Sequence, residues 1–426
     1  MIMVITFVFA MIIGVPIAFV VGLVGLVGLL QIGPEFLMAV PQRLFASANN
    51  YNLMAIPMFI LAGELLGLSG DVERLMNFCR ALIGRVKGGI AYVSVAVGLM
   101  LSGILGMANA IAALLSSTIY PEMIKDNYEP EFSACFIASV SMVGPLIPPG
   151  LLFVLYGVAS GTSIAELFMA GVIPGLLVAL ALSIVIFFLS LNPERKWKKT
   201  EWEGWRNVWT TMRAALFSIV APFLTFVTVA SGIATPTESA SVIVVLVALV
   251  GIIVYRKITL WNLIPILVRA AVISGSILII TAMAGVMGWV MALEQIPQRV
   301  AGAMISISDN ELVVLFIIQI FLLLIGLFLD AAPAVLILVP VFMPIIQQFG
   351  YNPVHFGLLM VFNLSIGVLT PPVGTCLFTT SVTTGVPVDK MIRSIWPWIG
   401  VLVFVLLLCT YFPQLSLFIP RLITGR

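Results

Sequence analysis

Two stretches carry the residues most able to do chemistry: Gly144-Pro145-Leu146-Ile147-Pro148-Pro149-Gly150 and Gly367-Val368-Leu369-Thr370-Pro371-Pro372-Val373-Gly374. Neither holds an acid, a base or a cysteine; what they offer is backbone. Proline lacks an N–H and clashes with the preceding turn, so a helix breaks there. The break frees carbonyl oxygens, which suit a hard cation such as Na+, and exposes half-helix N-termini, which favour an anionic group. The second stretch sits inside a run, Val354 to Val388, with one histidine and no Lys, Arg, Asp or Glu. In lipid, broken backbone is tolerated only where it is buried in protein or lines a polar cavity. A proline kink that serves packing alone is the plain alternative; it accounts for one break better than for two at matching positions.

The elements that hold these breaks are membrane helices. The chain has 426 residues, 62% hydrophobic and 9% charged, with a mean hydropathy of +1.21, where a soluble domain is about 25% charged. Apolar segments of membrane-spanning length recur throughout, which predicts an all-α polytopic membrane protein with no separate soluble domain. The N-terminus opens an apolar run without a basic start and reads as a retained first span, not a cleaved signal. A net charge of +2 makes no case for nucleic acid. Cys79, Cys135, Cys376 and Cys409 have no metal or redox spacing and read as small buried residues. His355, the single histidine, cannot build a metal cluster and reads as a core hydrogen-bonding residue. No nucleophile-elbow, zinc-protease, P-loop or dinucleotide pattern is present, so no enzyme is expected.

The two breaks are related by a fixed offset of 223 (371 − 148). It also links Pro121 to Pro344, Tyr128 to Tyr351, Pro130 to Pro353, Gly144 to Gly367, Leu101 to Leu324, Gly103 to Gly326 and Pro174 to Pro397. One register over 101–175 and 324–398 predicts two homologous halves. In each, two short apolar segments meeting at a tip (89–101 with 107–120; 313–325 with 331–346) precede a long segment broken in its middle (130–170; 353–385). Segments of about 13–16 residues reach about 20–24 Å, short of a core near 30 Å, and predict re-entrant hairpins. Basic loops stay in the cytoplasm. Placing Arg74–Lys87, the stretch 192–213 and Arg256-Lys257 inside leaves the second hairpin starting outside, so the halves lie in opposite orientations. That is the inverted-repeat plan of secondary transporters.

The same residues resemble a known family. The stretches IPMFILAG (56–63), SGIATPTESA (231–240), GLFLDAAPAVLILVP (326–340) and YNPVHFGLLMVFNLSIGVLTPPVG (351–374) are similar to the large membrane subunit of TRAP (tripartite ATP-independent periplasmic) transporters, over essentially the whole chain. The resemblance implies a Na+-driven elevator importer of organic acids in the bacterial inner membrane. It also implies two partners, a small four-helix membrane subunit and a periplasmic substrate-binding protein. The domain plan becomes scaffold helices and an interfacial arm (1–87), a first transport repeat (88–175, hairpin 88–120, broken helix 130–170), scaffold helices (176–310) with a cytoplasmic interfacial helix at 193–213, a second transport repeat (311–393, hairpin 311–347, broken helix 353–385) and a C-terminal helix (394–426). The family's Na+ positions map to Ser102, Gly103, Gly144, Ile147 and Pro148, and to Gly326, Gly367, Thr370 and Val373, mostly through carbonyls. Thr370 adds a hydroxyl that its repeat mate Ile147 lacks, so the two sites should differ. Many members have Ser-Gly-Ser followed by small residues at the first tip, where this chain has Ser102-Gly103-Ile104-Leu105-Gly106-Met107. The runner-up is a stand-alone Na+/carboxylate carrier that needs no binding protein.

Substrate is expected between the tips, near Asn109, Asp330, Pro333 and Thr375. Asp330 is alternatively an N-cap, and Asn109 alternatively a packing amide. Four-carbon dicarboxylates, sialic acid and sugar or keto acids are the substrate classes the family implies, and the departing first tip disfavours the dicarboxylates. Glu64 and Glu238 are acids in apolar surroundings, which earns a functional reading, though the scaffold position the family gives them favours structural hydrogen bonds. Trp197, Trp202, Trp205 and Trp209 among basic residues predict the interfacial helix at 193–213. Gly22, Gly25 and Gly28 let a helix pack closely, either the small subunit or another span.

Overall fold

Because lipid offers backbone no hydrogen-bond partner, each apolar run must satisfy itself as a helix. In the computed structural model, which describes residues 2–199, 202–307 and 310–425, the ordered elements among the described residues are all helical. Among the described residues, six helices are long and apolar enough to cross a membrane: Tyr51–Ser69, Ile164–Leu191, Gly204–Ala230, Pro236–Val254, Trp261–Leu293 and Ala331–Gln348. The pair Val388–Ser394 and Trp396–Tyr411, bent by 50°, makes a seventh if counted as one span.

Each break forms where its prolines are. The first long segment runs as Pro130–Val140, a 3-10 turn at Ser141–Val143, an irregular stretch at 144–150, and Leu151–Ser160. The second runs as Pro353–Leu369, a stretch at 370–374, and Thr375–Thr384. The prolines at 148–149 and 371–372 are each joined by a cis peptide. The hairpins are Gly89–Leu105 with Ala108–Thr118, and Glu311–Gly326 with Ala331–Gln348. The second closes on its own starting end, where the Tyr351 hydroxyl donates to the Glu311 carbonyl.

Polar contacts fix which ends lie together. Glu131, at the start of the first broken helix, pairs with Lys390, just past the end of the second, at 3.3 Å. The Tyr156 hydroxyl, near the end of the first, donates to the Pro353 carbonyl at the start of the second, at 2.8 Å. The two broken helices are therefore antiparallel. Arg80–Glu122 (2.7 Å), Arg195–Glu129 (3.4 Å) and Lys198 on the Lys125 carbonyl (2.9 Å) gather with Glu131–Lys390 into one basic end. There the Lys125 and Arg80 partners hold the Glu122 carboxyl below its ordinary pKa, against partial desolvation. The halves also interlock: Leu151–Ser160 packs on Ala331–Gln348, and Thr375–Thr384 packs on Ala108–Thr118.

Several expectations are corrected. The first broken helix ends at Ser160, not 170: Gly161 takes φ +73°, and Ser163 caps a new 28-residue helix, Ile164–Leu191, by accepting the Glu166 N–H. The arm Ala331–Gln348 has 18 residues, long enough to cross by itself. The N-terminal run is two helices, Ile2–Ile12 and Ile17–Ile32, parted at Gly14 and Pro16, and the C-terminal helix is two, Trp396–Tyr411 and Gln414–Thr424, parted at Phe412-Pro413. No single helix occupies 193–213. Residues 195–199 are irregular, 200 and 201 lie outside the described residues, and Trp205 and Trp209 stand on the first turns of the span Gly204–Ala230. Trp197 is buried, its ring stacked 4.3 Å from Tyr128 under the Arg195 guanidinium. Gly22, Gly25 and Gly28 face Met283, Val286 and Val290 of Leu260–Leu293, so the close partner is a span of this chain. Glu238 is exposed at the end of a helix, where it completes a capping box with Thr235. His355, by contrast, is the core hydrogen-bonding residue expected, its Nδ1 meeting the Ser416 hydroxyl at 2.7 Å.

Asp71 is fully buried. Ser69 and Ser218 hydroxyls donate to it, and Arg74, whose guanidinium carbon lies 3.4 Å from the Tyr255 ring centroid, approaches it at 3.5 Å. These contacts clamp Asp71–Ile83 to Gly204–Ala230. Asp71→Ala strands the buried Ser218 hydroxyl and takes the carboxylate from Arg74, which keeps the Ser69 carbonyl at 3.0 Å, so a loss of about 1–3 kcal/mol is expected. A thermal melt in detergent no lower than wild type would show the clamp to be idle.

Candidate functional site

The tips and the breaks meet in the middle of the molecule. At the first junction Gly106 holds φ +59° so that the hairpin can turn, and its carbonyl accepts the Leu151 N–H at 3.2 Å. A Cβ on Gly106 would fall 2.2 Å from the Pro149 carbonyl oxygen. At the second, Gly326 and Gly367 lie backbone against backbone, with a Cβ on Gly367 falling 2.5–2.8 Å from the Cα, C and O of Gly326. Only glycines permit either approach.

Among the proposed cation ligands, Gly103 packs against Pro222 of Gly204–Ala230, a Cβ there falling 2.5 Å from the Pro222 Cβ and 3.6 Å from the Pro148 carbonyl oxygen, and Gly144 lies against Met107 and Ile111 of the hairpin. The Ser102 hydroxyl donates to the Gly98 carbonyl at 2.6 Å, and its carbonyl caps the helix by accepting the Gly106 N–H. The Ile147 side chain turns to Gly175, away from the tip. At the second junction the Gly367 carbonyl accepts the Thr370 N–H at 2.9 Å, and the Thr370 hydroxyl donates to the Ile366 carbonyl at 2.7 Å. Val373 is exposed, and among the described residues no hydrogen bond ties it to Gly326, Gly367 or Thr370. Ser102, Gly103, Pro148 and Gly144 are thus brought to one junction and Gly326, Gly367 and Thr370 to the other. The donor set is neutral oxygen from backbone and hydroxyl, the kind that half-unwound transport helices present to Na+.

Between the tips a chain of polar groups crosses three elements. The Asn109 amide donates to the Thr375 hydroxyl at 3.3 Å, and that hydroxyl donates to Asp330 at 3.2 Å. Asp330 stands at the N-cap position of Ala331–Gln348 but makes no capping hydrogen bond; its carboxylate goes to Thr375 instead. Among the described residues, the buried Asn109 carbonyl oxygen has no hydrogen-bond partner. A cavity of about 600 Å³ opens here, lined by Asn109, Asp330, Pro333, Glu64, Ser276 and Ser365 among others. Three of the four residues expected near substrate line it, and the fourth, Thr375, bridges two of them.

Glu64 takes part in an ion pair, with Arg269 at 3.3 Å. The sequence reading passed over Arg269, although it is the sole basic residue between Lys257 and Arg299 and the rule that singled out Glu64 applies to it equally. It also passed over the buried amide pair Gln319–Asn363 beneath the Gly326–Gly367 contact; two amides one hairpin apart carry no spacing signal.

Known proteins match the chain over nearly its full length. The family model described as "Tripartite ATP-independent periplasmic transporter, DctM component" matches residues 4–415. The sialic acid TRAP transporter large permease protein SiaM of Vibrio cholerae is 34% identical over 412 residues, covering 97% of this chain and 96% of that one. The C4-dicarboxylate TRAP transporter large permease protein DctM of Pseudomonas aeruginosa is 34% identical over 400 residues, covering 94% and 93%. The solved YdaH transporter of Alcanivorax borkumensis matches with a TM-score of 0.62 at 13% identity, covering 90% of this chain and 89% of that one, a likeness of fold alone.

Proposed function

Since the chain belongs to the DctM-component family of tripartite ATP-independent periplasmic transporters and is a multi-pass transporter subunit, not an enzyme, we propose that it imports an organic acid anion coupled to Na+. A periplasmic binding protein delivers the anion, and a small four-helix subunit completes the membrane complex in the inner membrane. The observation that carries this reading is the meeting of both hairpin tips with both helix breaks around one cavity, in antiparallel halves. Such halves are what an inverted repeat requires.

In this mechanism Na+ travels as co-substrate at the two glycine-lined junctions, and its charge offsets the anion's. The tips close on the anion from both sides. The hairpins and broken helices then slide as a body along the scaffold, an elevator whose rail includes Leu260–Leu293, which packs on Ala331–Gln348. Two Na+ per monovalent anion move one net charge inward. At 100 mV and a tenfold Na+ gradient that supplies about 5 kcal/mol, enough for accumulation of over a thousandfold.

Asp330 narrows the substrate. A carboxylate facing the cavity accepts hydrogen bonds and repels a second carboxylate. This favours a hydroxylated monocarboxylate of the sugar-acid or sialic-acid kind over a four-carbon dicarboxylate.

The deciding experiment is uptake into proteoliposomes of labelled sialic acid, a sugar acid and succinate. The small subunit, the binding protein and Na+ are each added or omitted. Uptake that needs all three and prefers a hydroxylated acid is expected. Uptake unchanged with choline in place of Na+ would overturn the coupling, and uptake by this chain alone would turn the reading to a stand-alone carrier.

A further inference from the structure

The cavity between the tips does not end there. Glu64, Met107 and Ala110 line it and also line a second cavity of about 480 Å³, whose other walls include Asn262 and Arg269. Position along Leu260–Leu293 shows which way the second cavity leads. Asn262 donates to the Lys257 carbonyl at 3.1 Å, beside the basic pair Arg256-Lys257 that marks the cytoplasmic side in our reading. Ser276, which lines the cavity between the tips, lies seven residues beyond Arg269 (276 − 269), about 10 Å along the helix. Arg269 therefore stands between the tips and the basic end.

An arginine on an apolar span is costly, and pairing with Glu64 offsets the cost. Pairing alone would be served by a buried contact. Here the Arg269 side chain is 66% exposed and lines the second cavity, while a single contact at 3.3 Å reaches Glu64. Among the described residues that is its one recorded polar partner. A guanidinium has five donors in a planar fork that matches a carboxylate, and a single contact to Glu64 leaves capacity for another carboxylate on a side chain that is exposed and lines the cavity.

We propose that Arg269 is a carboxylate-binding station on the path between the tip cavity and the cytoplasm, kept weak by Glu64. It rests on the reading of this chain as an organic-anion importer. The substrate carboxylate leaves the tips and takes the open edge of the guanidinium. Glu64 competes for the same group, so the anion is passed on and not trapped. The chemistry recognised is the carboxylate itself, which leaves selection among acids to Asp330 and the tips.

The test uses the complete three-protein transporter in proteoliposomes, with the same labelled acids. All four native cysteines are buried, so Arg269→Cys introduces an accessible thiol. Uptake by Arg269→Cys is expected to fall by about tenfold, the effect of about 1.4 kcal/mol. A cationic aminoethyl thiosulfonate should restore it, an anionic sulfonatoethyl reagent should not, and the transported acid should slow modification. The double variant Glu64→Gln/Arg269→Gln removes both charges at once. Were the pair merely structural, the double variant would transport like wild type; the station predicts that it stays impaired. Glu64→Gln alone should lower KM and kcat together, because the anion is held longer. Wild-type rates in Arg269→Cys, equal effects of the two reagents, or full recovery in the double variant would overturn the station. Failure of the wild-type complex to take up any of the acids would instead overturn the importer reading.

Discussion

Alanine at position 367 is expected to abolish uptake. The added methyl would sit 2.5 Å from the Cα of Gly326, 2.6 Å from its carbonyl carbon and 2.8 Å from its oxygen. All three are backbone atoms, so no rotamer change relieves the overlap. Relief requires the second hairpin to withdraw from the second break, which separates Gly326 from Gly367 and carries Asp330 away from Thr375. Overpacking of this kind costs about 1–3 kcal/mol or more, and transport suffers further because the junction geometry is the proposed ion site. Gly326→Ala should be milder, its methyl meeting the Gly367 Cα at 3.0 Å. Gly400→Ala is the control: nothing lies within 4 Å of its added methyl, and alanine is the better helix former. Uptake and thermal melting measured on all three should rank 367 as most damaging and 400 as harmless. Near-normal uptake by Gly367→Ala would mean that the backbone contact is not needed for transport.

Asp330→Ala is the second substitution with a large expected effect, a fall in uptake of about 10- to 100-fold without loss of the folded complex. A hydrogen bond to a charged group contributes about 1.5–3 kcal/mol. The Asp330 carboxylate both holds Thr375 and faces the cavity. Its loss frees Thr375 from the second tip and removes the acceptor for a substrate hydroxyl. Since Asp330 makes no cap hydrogen bond, the helix behind it should survive, and melting should shift little. A dicarboxylate, which gains nothing from Asp330, should lose less than a hydroxylated acid. Equal losses for both would leave Asp330 a structural residue and remove its part in selection.

Much of the site was legible because breaks are local. Pro148, Pro149, Pro371 and Pro372 announce themselves in any window, and the offset of 223 matches them across the chain. Asn109, Asp330 and Thr375 were found because a polar residue next to a tip or break is rare in so apolar a chain. What escaped depends on contacts distant in sequence. The tryptophan cluster has helical spacing in part, yet Trp197 is drawn out by stacking on Tyr128, 69 residues away (197 − 128). Glycine spacing at 22, 25 and 28 marks a close approach without naming the approaching helix, which proves to be Leu260–Leu293. The structural hydrogen bonding expected of Glu238 is present, and its form was legible too: Thr235-Pro236-Thr237-Glu238 is a capping-box pattern.

The interlocking of the halves bears on how the protein is made. Asn109 pairs with Thr375, 266 residues later, and Leu151–Ser160 packs on Ala331–Gln348. The first tip therefore leaves the ribosome without its partners. At about 5–20 residues per second it waits roughly 13–53 s for them. During that interval its amide and the freed carbonyls of the first break must be held by water, by lipid headgroups or by the insertion machinery. Half a chain, however well inserted, is one hairpin and one broken helix with no counterpart to face.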